Sequence, residues 1–507
     1  MKLNAKRTLF VGFAFLLICV FWQAYDNIIP KILTDKFGLS QRVSGAVMAL
    51  DNVLALFLLP LFGSLSDRTN TRVGKRTPFI VVGTLIAVLA LFSLTMADNM
   101  QKQQLEQING LNESALEELY ESDLMISPSD RAGEVKLKEQ ISRADFLAIS
   151  DYESEEYTKY VVPARQAYAA MVSRSNPAPL ISFVSILLVL LVAMGIFRSP
   201  AVALMPDVTP KPLRSKANAI INLMGAVGSI AVLLLGILFG TGKTENALMS
   251  YKNYFVAVAS IMFVALVLFL LLVREPKWSK ELHEYELYTV DKIAPPESQQ
   301  STDKRKLSKG ELGSLLLILA SVVLWYMGYN AVISKYSVYA GQILGLDFNT
   351  TLTISSAAAI VSYIPVGMIA SKIGRKKCIL AGVGMLAVAF GVASFLRQGS
   401  SIWLVNALFV LAGVGWATIN VNSYPMVVEL SRHSDVGRYT GFYYTANMVA
   451  QIITPILSGI FMDIKFTLLF PYATVFVAFS FFTMLFVKHG DNKPGEKEIS
   501  EAFDVLD

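Results

Sequence analysis

Long apolar stretches separated by polar connections dominate this sequence of 507 residues. A helix that crosses a bilayer needs about 20 mostly apolar residues, and stretches of that kind recur along the whole chain. They lie at about 8–33, 42–64, 78–97, 181–205, 216–240, 252–273, 312–340, 350–372, 378–396, 401–428, 438–462 and 467–487. The pattern predicts an all-α membrane protein with about twelve transmembrane helices.

The basic residues predict how these helices are oriented. Short cytoplasmic loops are enriched in Lys and Arg, and here such residues collect in the even-numbered connections, with Arg68, Arg72, Lys75 and Arg76 after the second stretch. We therefore expect both termini to be cytoplasmic. The predicted segments are helices 1–3 in 1–97, an extracellular insertion at 98–180, helices 4–6 in 181–273, a central cytoplasmic loop at 274–310, helices 7–12 in 311–488 and a cytoplasmic tail at 489–507.

Composition narrows the class of protein further. Hydrophobic residues make up 54% and charged residues 16%, whereas a soluble domain averages about 25% charged residues. The net charge of +5 is too small for a protein that binds nucleic acid. Two cysteines and three histidines are scattered along the chain without the spacing of metal ligands. No nucleotide loop or nucleophile–base pair is readable, so we expect neither an enzyme nor a cofactor.

An internal repeat predicts two similar halves. The matching residues are Trp22 with Trp325, Asn27 with Asn330, Gly63 with Gly367, and Asn222 with Asn447. The spacing is 303 or 304 for the first three pairs and 225 for the last. The drop is close to the length of 98–180, so the simplest account is a duplicated six-helix unit with one insertion in its first copy. Paired halves of this kind are typical of alternating-access transporters.

A charged motif follows the second span and recurs after the eighth. The first copy runs Gly63-Ser-Leu-Ser-Asp67-Arg68 and continues to Gly74-Lys75-Arg76, and the second runs from Gly367 to Gly374-Arg375-Lys376-Lys377. Glycine permits close helix contact and a tight turn. The acid at the helix end can pair with an arginine in one conformation and lose it in another. An ordinary positively charged loop is the alternative for either copy alone.

These motifs, with twelve spans in two halves, resemble the GxLaDRxGRKK loop that the major facilitator superfamily carries twice. The lengthened first copy is similar to that of the glycoside–pentoside–hexuronide:cation symporters and the related sucrose:proton symporters. The run Phe197-Arg198-Ser-Pro200 is similar to the sucrose-type branch. The resemblance implies the major facilitator fold, with two pseudo-symmetric six-helix halves, and secondary active transport. It also implies a gating role for Gly63, Asp67, Arg68, Arg76, Asp207, Arg214, Gly367, Arg375, Glu429 and Arg438.

Ionisable residues inside the predicted spans are functional candidates, because each costs roughly 2.5–3.5 kcal/mol to insert. Asp26 and Asp51 are the candidates for binding a coupling cation. A carboxylate removed from water can take up a proton near physiological pH, and Na⁺ would need additional oxygen ligands such as Asn27 or Asn52. Arg198 could hold sugar hydroxyls or pair with an acid. The alternatives are water-solvated acids and an arginine at the inner rim; Lys335 is a weaker candidate.

Amides and aromatic residues in the spans are candidates for binding a sugar, which needs an apolar face to stack on and polar groups for its hydroxyls. The predicted substrate-binding residues are Trp22, Gln23, Asn27, Asn52, Arg198, Asn222, Trp325, Tyr329, Asn330, Asn422, Asn447 and Gln451. For each amide, a hydrogen bond between helices is the alternative role.

The insertion at 98–180 holds 15 acidic and 8 basic residues. Leu105, Ile108, Leu116 and Leu119 indicate one amphipathic helix, and Leu137 and Ile141, followed by Phe146 and Leu147, a second. It is either a helical cap or arm without its own activity, or a lid or sugar-capturing module over the outer entrance.

The sequence as a whole favours a monomeric, multi-pass plasma-membrane symporter. Its partners would be the lipid bilayer, a sugar such as sucrose or maltose and a coupling ion, H⁺ or possibly Na⁺, with no nucleic acid. Export or import of another organic solute, such as a drug or a Na⁺-coupled substrate, and a non-transporting membrane sensor stay open as alternatives.

Overall fold

The computed structural model describes residues 4–128, 133–210, 213–293, 308–430 and 436–490. The predicted tail therefore lies largely outside the described residues, as does the middle of the central loop. In the first half the helices are α1 (Ala5–Lys31), α2 (Gln41–Arg68), α3 (Thr77–Gln104), α4 (Glu113–Glu121), α5 (Leu137–Gln140), α6 (Arg143–Leu147), α7 (Val162–Ser175), α8 (Ala178–Val208), α9 (Arg214–Phe239) and α10 (Lys252–Leu272). A short hairpin pairs β1 (Met125–Ile126) with antiparallel β2 (Val135–Lys136).

The central segment and the second half continue with further helices. They are α11 (Glu275–Ile293), α12 (Lys309–Tyr339), α13 (Phe348–Ile373), α14 (Arg375–Ala393), α15 (Ile402–Glu429), α16 (Val436–Ile464) and α17 (Leu469–Leu485). Among the described residues, 11 helices are long and apolar enough to cross a membrane. The predicted eighth span corresponds to α13, a helix of 26 residues that is not among these 11. The structure confirms the predicted all-helical membrane architecture.

The two halves show their common origin at the ends of their first helices. α1 passes into a single π-helical turn, Ile32–Lys36, and α12 passes into another, Ala340–Leu344. Each turn is followed by a glycine with positive φ, +65° at Gly38 and +63° at Gly345. A left-handed residue ends a helix at little cost only when it is glycine. The repeated turn and glycine therefore stop both helices in the same way.

The halves meet tightly at the end of the bundle opposite the first residues of α1, which we call the far end. Gly45 of α2 lies so close to α16 that a Cβ atom there would stand 1.9 Å from the Pro455 carbonyl oxygen. The carboxylate of Asp463 accepts hydrogen bonds from the backbone N–H groups of Gln41 (2.6 Å) and Arg42 (2.9 Å). These contacts fasten the N-terminus of α2 to the second half, so the far end is closed.

Lys335 contributes to the same closure. Its side chain is fully buried, and its ammonium donates to the backbone oxygen of Gln41 at 2.7 Å. A buried ammonium needs such a partner because the interior cannot solvate it. Lys335 therefore lies at the closed far end, where it is buried between the two halves.

Residues between α3 and α8 form a small domain on the far end, which we call the inserted domain (residues 105–177 within the described chain). It has a hydrophobic core of its own, in which Leu116, Leu119 and Phe146 are fully buried. Leu105, Ile108 and Leu137 also lie in this core, while Ile141 packs on its edge. These apolar residues therefore share one compact core, but the prediction of two continuous helices is wrong. Leu105 and Ile108 precede α4, which carries Leu116 and Leu119, and the second predicted helix is divided into α5 and α6.

Candidate functional site

A cavity of about 230 Å³ lies between the two halves, directly below the closed far end. Five helices line it: α1, α2 and α8 of the first half and α12 and α16 of the second. The lining residues are Trp22, Asp26, Met48, Asp51, Asn52, Arg198, Asn330, Ile333, Ser334, Gln451 and Pro455. Five of these belong to the predicted substrate-binding set, and both predicted coupling acids are present. The structure therefore gathers residues from distant parts of the sequence into one place.

All the charged groups that line the cavity come from the first half. Asp26 on α1, Asp51 on α2 and Arg198 on α8 face the same space. The amide of Asn52 donates to the carboxylate of Asp51 at 2.6 Å. With both acids ionised the three groups carry one net negative charge, which is costly in a region of low dielectric constant. A bound cation or proton would offset that charge.

Arg198 is held by an aromatic surface as well as by charge. Its guanidinium carbon lies 5.1 Å from the centre of the Trp22 ring, within the range of a cation–π interaction. Trp22 itself packs edge-on against Tyr25, with ring centres 5.4 Å apart, and the Tyr25 hydroxyl donates to the carbonyl of Met48 at 3.3 Å. These contacts give Arg198 and Trp22 fixed positions beside the two acids.

The second half supplies amide, hydroxyl and apolar groups to the cavity. Asn330 and Ser334 stand one helical turn apart on α12, and Gln451 stands on α16. The Gln451 amide donates to Asn447 at 2.7 Å. The amide nitrogen of Asn330 and the indole nitrogen of Trp22 are shielded from solvent and have no hydrogen-bond partner among the described residues. Buried donors are normally paired, so these two are suited to a ligand hydroxyl.

Seven predicted binding residues, Tyr329 among them, do not line the cavity. Asn27 and Asn422 each donate to a carbonyl one turn earlier in their own helix, Gln23 and Thr418 respectively. Trp325 is fully buried and Asn222 is exposed. The other two are Gln23, which is half-buried, and Asn447, which reaches the site only through Gln451. The repeat therefore matches residues whose surroundings differ: Trp22 lines the cavity and Trp325 does not.

Tyr329, also predicted to bind substrate, lies in an aromatic cluster of the second half that the sequence did not indicate. Its ring stacks on Trp416 of α15 at 3.7 Å with an angle of 2° between the planes, and Tyr326 meets the same indole edge-on. No spacing pattern links Trp416 to Tyr329, because the two positions belong to different helices. Met48, Ile333, Ser334 and Pro455 were missed for the same reason.

The charged motif after α2 forms a compact network within the first half. The guanidinium of Arg76 donates to Asp67 (2.5 Å), to Asp207 at the end of α8 (2.7 Å) and to the Ser66 hydroxyl (2.5 Å). Gly63 lies against Ser199, whose hydroxyl would stand 2.9 Å from an added Cβ atom. Arg76 thus joins α2, α3 and α8 at their shared end.

The remaining predicted gating residues have varied roles. Arg214 donates to the carbonyl oxygens of Pro206 (2.9 Å) and Thr209 (3.2 Å) and so caps α8. Arg68 is exposed. In the second half Arg375 pairs with Glu429, and Gly367 faces open space: within the part of the chain that the structure describes, no other segment lies within 4 Å of where a Cβ atom would stand. The side chain of Arg438 lies outside the described residues.

Glu275, which sequence reasoning missed, organises the same motif. Its carboxylate accepts hydrogen bonds from the backbone N–H groups of Lys75 (2.6 Å), Arg76 (2.9 Å) and Thr77 (2.9 Å), and from the Thr77 hydroxyl (2.7 Å). A carboxylate at a helix N-terminus satisfies unpaired N–H groups and interacts favourably with the helix dipole. Glu275, only 3% exposed, therefore joins α11 to the start of α3.

Glu275→Ala should destabilise the protein by about 2–3 kcal/mol, because it leaves several buried donors without their charged acceptor. The measurement is thermal unfolding of the purified protein in detergent. Glu281→Ala is the matched control, since Glu281 makes a half-exposed ion pair with Arg7 and such pairs contribute at most about 1 kcal/mol. Equal melting temperatures for the two variants would contradict the assigned role.

Comparison with known proteins gives short matches to curated sequences. The chain is 39% identical over 64 residues to YagG of Escherichia coli K12, whose name gives it as a candidate glycoside/cation symporter, covering 13% of this chain and 14% of YagG. It is 29% identical over 125 residues to an uncharacterised MFS-type transporter of Methanocaldococcus jannaschii, covering 24% of this chain and 30% of that one. The chain thus matches less than a third of the length of these curated relatives.

Solved structures match over nearly the whole chain. The inward-open xylose transporter XylE from E. coli aligns with a TM-score of 0.59 at 14% identity, covering 98% of both chains. A bacterial homologue of the iron transporter ferroportin in its inward-facing state aligns with a TM-score of 0.56 at 12% identity, covering 96% of this chain and 98% of that one. At such low identity these matches establish the fold.

Family profiles extend the comparison to the sequence. A profile described as MFS/sugar transport protein matches residues 10–105. The profile of the Major Facilitator Superfamily matches residues 167–362 and 347–505, well over half of the chain. Together with the two similar halves and the cavity between them, these matches show that the chain belongs to the Major Facilitator Superfamily.

Proposed function

We propose that this protein is a secondary active transporter that carries a sugar, most simply a glycoside or disaccharide such as sucrose or maltose, together with a proton. The observation that carries the proposal is the cavity between the halves, in which Asp26, Asp51 and Arg198 stand opposite Asn330 and Gln451. One wall can bind a cation and the other can bind hydroxyl groups. The likeness to YagG supports a sugar and a cation as the two cargoes.

The charges explain why the two cargoes would move together. An empty cavity with both acids ionised carries a net negative charge, and a proton on one acid leaves a neutral Asp–Asp–Arg group. A neutral group crosses between conformations at lower cost, because no uncompensated charge is buried when the cavity closes. Na⁺ could serve in the same place, using the oxygens of Asp26 and Asp51.

The amides and aromatic rings would select the sugar. Asn330 offers an unpaired amide nitrogen and Trp22 an unpaired indole nitrogen, and both are donors suited to hydroxyl oxygens. The face of Trp22 already holds Arg198, whose planar fork can bind two hydroxyls at once. A sugar that lacks one of these hydroxyl groups should therefore bind much more weakly.

Transport would proceed by alternating access. The structure has its far end closed by the contacts of Gly45 and Gln41 of α2 with α16 and with Lys335 of α12, so opening at the far end would require these contacts to part. With both termini cytoplasmic, as the positive charges predict, the far end faces outward and the protein works as a monomer in the plasma membrane.

Uptake into liposomes tests the proposal. The purified protein is reconstituted in vesicles that contain a pH-sensitive dye, and a panel of glycosides is added outside without Na⁺. We expect internal acidification with one class of sugar, above the rate of protein-free vesicles. A signal only with Na⁺ present, followed as labelled sugar uptake, would replace the proton by sodium as the coupling ion.

Silence with every sugar from a folded protein would contradict the sugar proposal. Acidification or alkalinisation with another organic solute would then favour an importer or exporter of that solute. If no solute moves, although one of them shifts the melting temperature, a membrane sensor that has kept the fold becomes the better interpretation.

A further inference from the structure

The inserted domain is fastened to the first half by apolar and polar contacts. Leu248, from the connection between α9 and α10, is part of its hydrophobic core. Gly38 lies so close to α7 that an added Cβ atom would stand 2.3 Å from the backbone nitrogen of Ala170. Gln166 donates to the buried Asp35 at 2.8 Å. Both chain connections of the domain also lead to this half, so the domain should move with it as one body.

A buried tyrosine strengthens this attachment. Arg165 donates to the hydroxyl of Tyr157 at 2.7 Å, and that hydroxyl donates to the Thr244 carbonyl at 3.3 Å. Burial raises the pKa of Tyr157 to about 12, although Arg165 opposes the shift. The hydroxyl thus stays protonated at neutral pH and can keep donating to the first half.

The same domain reaches across the far end to the second half. The hydroxyl of Thr158 donates to the side-chain oxygen of Gln398 at 2.7 Å, and the Gln398 amide donates to the carbonyl of Glu153. Gln398 lies in the connection between α14 and α15. The π-helical turn Tyr157–Val161 also lies against the matching turn Ala340–Leu344 at the end of α12. The inserted domain therefore contacts both halves across the closed gate.

The two attachments differ in chemistry. The domain shares its hydrophobic core with Leu248 of the first half, and among the described residues this core contains no side chain of the second half. The side-chain hydrogen bonds at Gln398 are made by neutral groups, and a neutral hydrogen bond changes an equilibrium by only about 2- to 10-fold. The shared apolar core should stay intact throughout the transport cycle, whereas a few neutral hydrogen bonds can break and re-form in every cycle.

From this difference we propose that the inserted domain is a clamp on the far gate: it travels with the first half, holds the second half through Gln398 while the far end is closed, and releases it when the far end opens. The clamp rests on the alternating access proposed above. Because the bonds exist only in the far-closed state, they shift the equilibrium toward that state by their differential free energy.

Distance measurements between spin labels test the clamp in the full-length protein in nanodiscs. One pair, Glu155→Cys with Ser401→Cys, reports the separation of the inserted domain from the second half. Another, Arg42→Cys with Ile464→Cys, reports the far gate itself. Both are placed in a background in which Cys19 and Cys378 are replaced by alanine. Gln398→Ala should raise the far-open fraction about 5-fold or more, because it removes both of the neutral hydrogen bonds that Gln398 makes to the inserted domain.

Thr158→Val provides a second variant, because it removes only the hydroxyl donor, and we expect a smaller increase in the same direction. Gln107→Ala is the matched control, since Gln107 is an exposed glutamine of the same domain, and it should behave like the unaltered protein. Unchanged distances in both Gln398→Ala and Thr158→Val would overturn the clamp. A gate that opens while the domain stays close to the second half would overturn it as well.

The two proposals fail in different ways. A far gate that stays closed in every variant and with every solute would contradict alternating access, and the release step would fall with it. An open gate with an unreleased domain would remove the clamp alone and leave the transport proposal standing.

Discussion

Asp26→Asn is expected to abolish sugar-driven proton uptake while sugar exchange between the two sides of the membrane continues. Asparagine has the shape of a protonated aspartate but cannot gain or lose a proton. Asp51 already has a hydrogen-bond donor in Asn52, whereas the carboxylate of Asp26 has none among the described residues. We therefore expect Asp26 to be the acid that takes up the proton.

The experiment compares two readouts in the same vesicles. Dye acidification should fall to the level of protein-free liposomes, and counterflow of labelled sugar should stay within about threefold of the unaltered protein, since uncharged asparagine imitates the loaded state. Asp145→Asn, an exposed position of the inserted domain, should change neither readout. Normal acidification by Asp26→Asn would assign the proton to Asp51 or to another group.

Replacing Arg198 should produce the second large effect. Arg198→Ala leaves two carboxylates in the cavity without their basic neighbour, and removing one partner from a buried charged group costs about 3–5 kcal/mol. Arg198→Lys keeps the charge but loses the planar fork and weakens the contact with Trp22. We expect Arg198→Lys to weaken sugar binding about 10- to 100-fold with little loss of stability. Arg198→Ala should weaken sugar binding and also destabilise the protein.

Sugar affinity from counterflow and thermal unfolding in detergent separate these outcomes. Arg143→Lys is the matched control, because Arg143 makes surface ion pairs with Glu117 and Glu121 that contribute little. If Arg198→Lys binds sugar as well as the unaltered protein, the guanidinium fork has no role in recognition and Arg198 acts through its charge alone.

Family membership also bears on the predicted class of activity. The matched sequences and structures are transporters of the Major Facilitator Superfamily, which are not enzymes. This confirms the prediction, made from the lack of readable catalytic motifs, that the chain is not an enzyme. The sugar, the coupling ion and the roles of individual residues stay predictions that the experiments above would test.

The sequence was sufficient for the architecture because membrane spans obey a strong local rule. A backbone in hydrocarbon must pair its own polar groups, so a long apolar stretch can only be a helix. The same rule marked Asp26, Asp51 and Arg198, because a charge in an apolar stretch is costly and stands out. These three residues were found without any knowledge of their neighbours, and the structure brings all three to one cavity.

Amides were harder to assign because their role depends on what faces them. Asn27 and Asn330 match in the repeat, yet Asn27 bonds to its own helix while Asn330 lines the cavity. A helical amide can satisfy itself on a carbonyl one turn earlier, and the sequence looks the same in either case. Only the packing of the opposite helix decides which amide is left for a ligand.

The sequence by itself therefore determined the nature and approximate number of the spans, the duplication and the charged groups, since all of these follow from local apolarity and spacing. The tertiary structure alone decided which side chains share the cavity, that Glu275 holds the start of α3, and that Gln398 joins the inserted domain to the second half. These are contacts between residues far apart in the chain, and they are set by how the helices pack rather than by any local pattern.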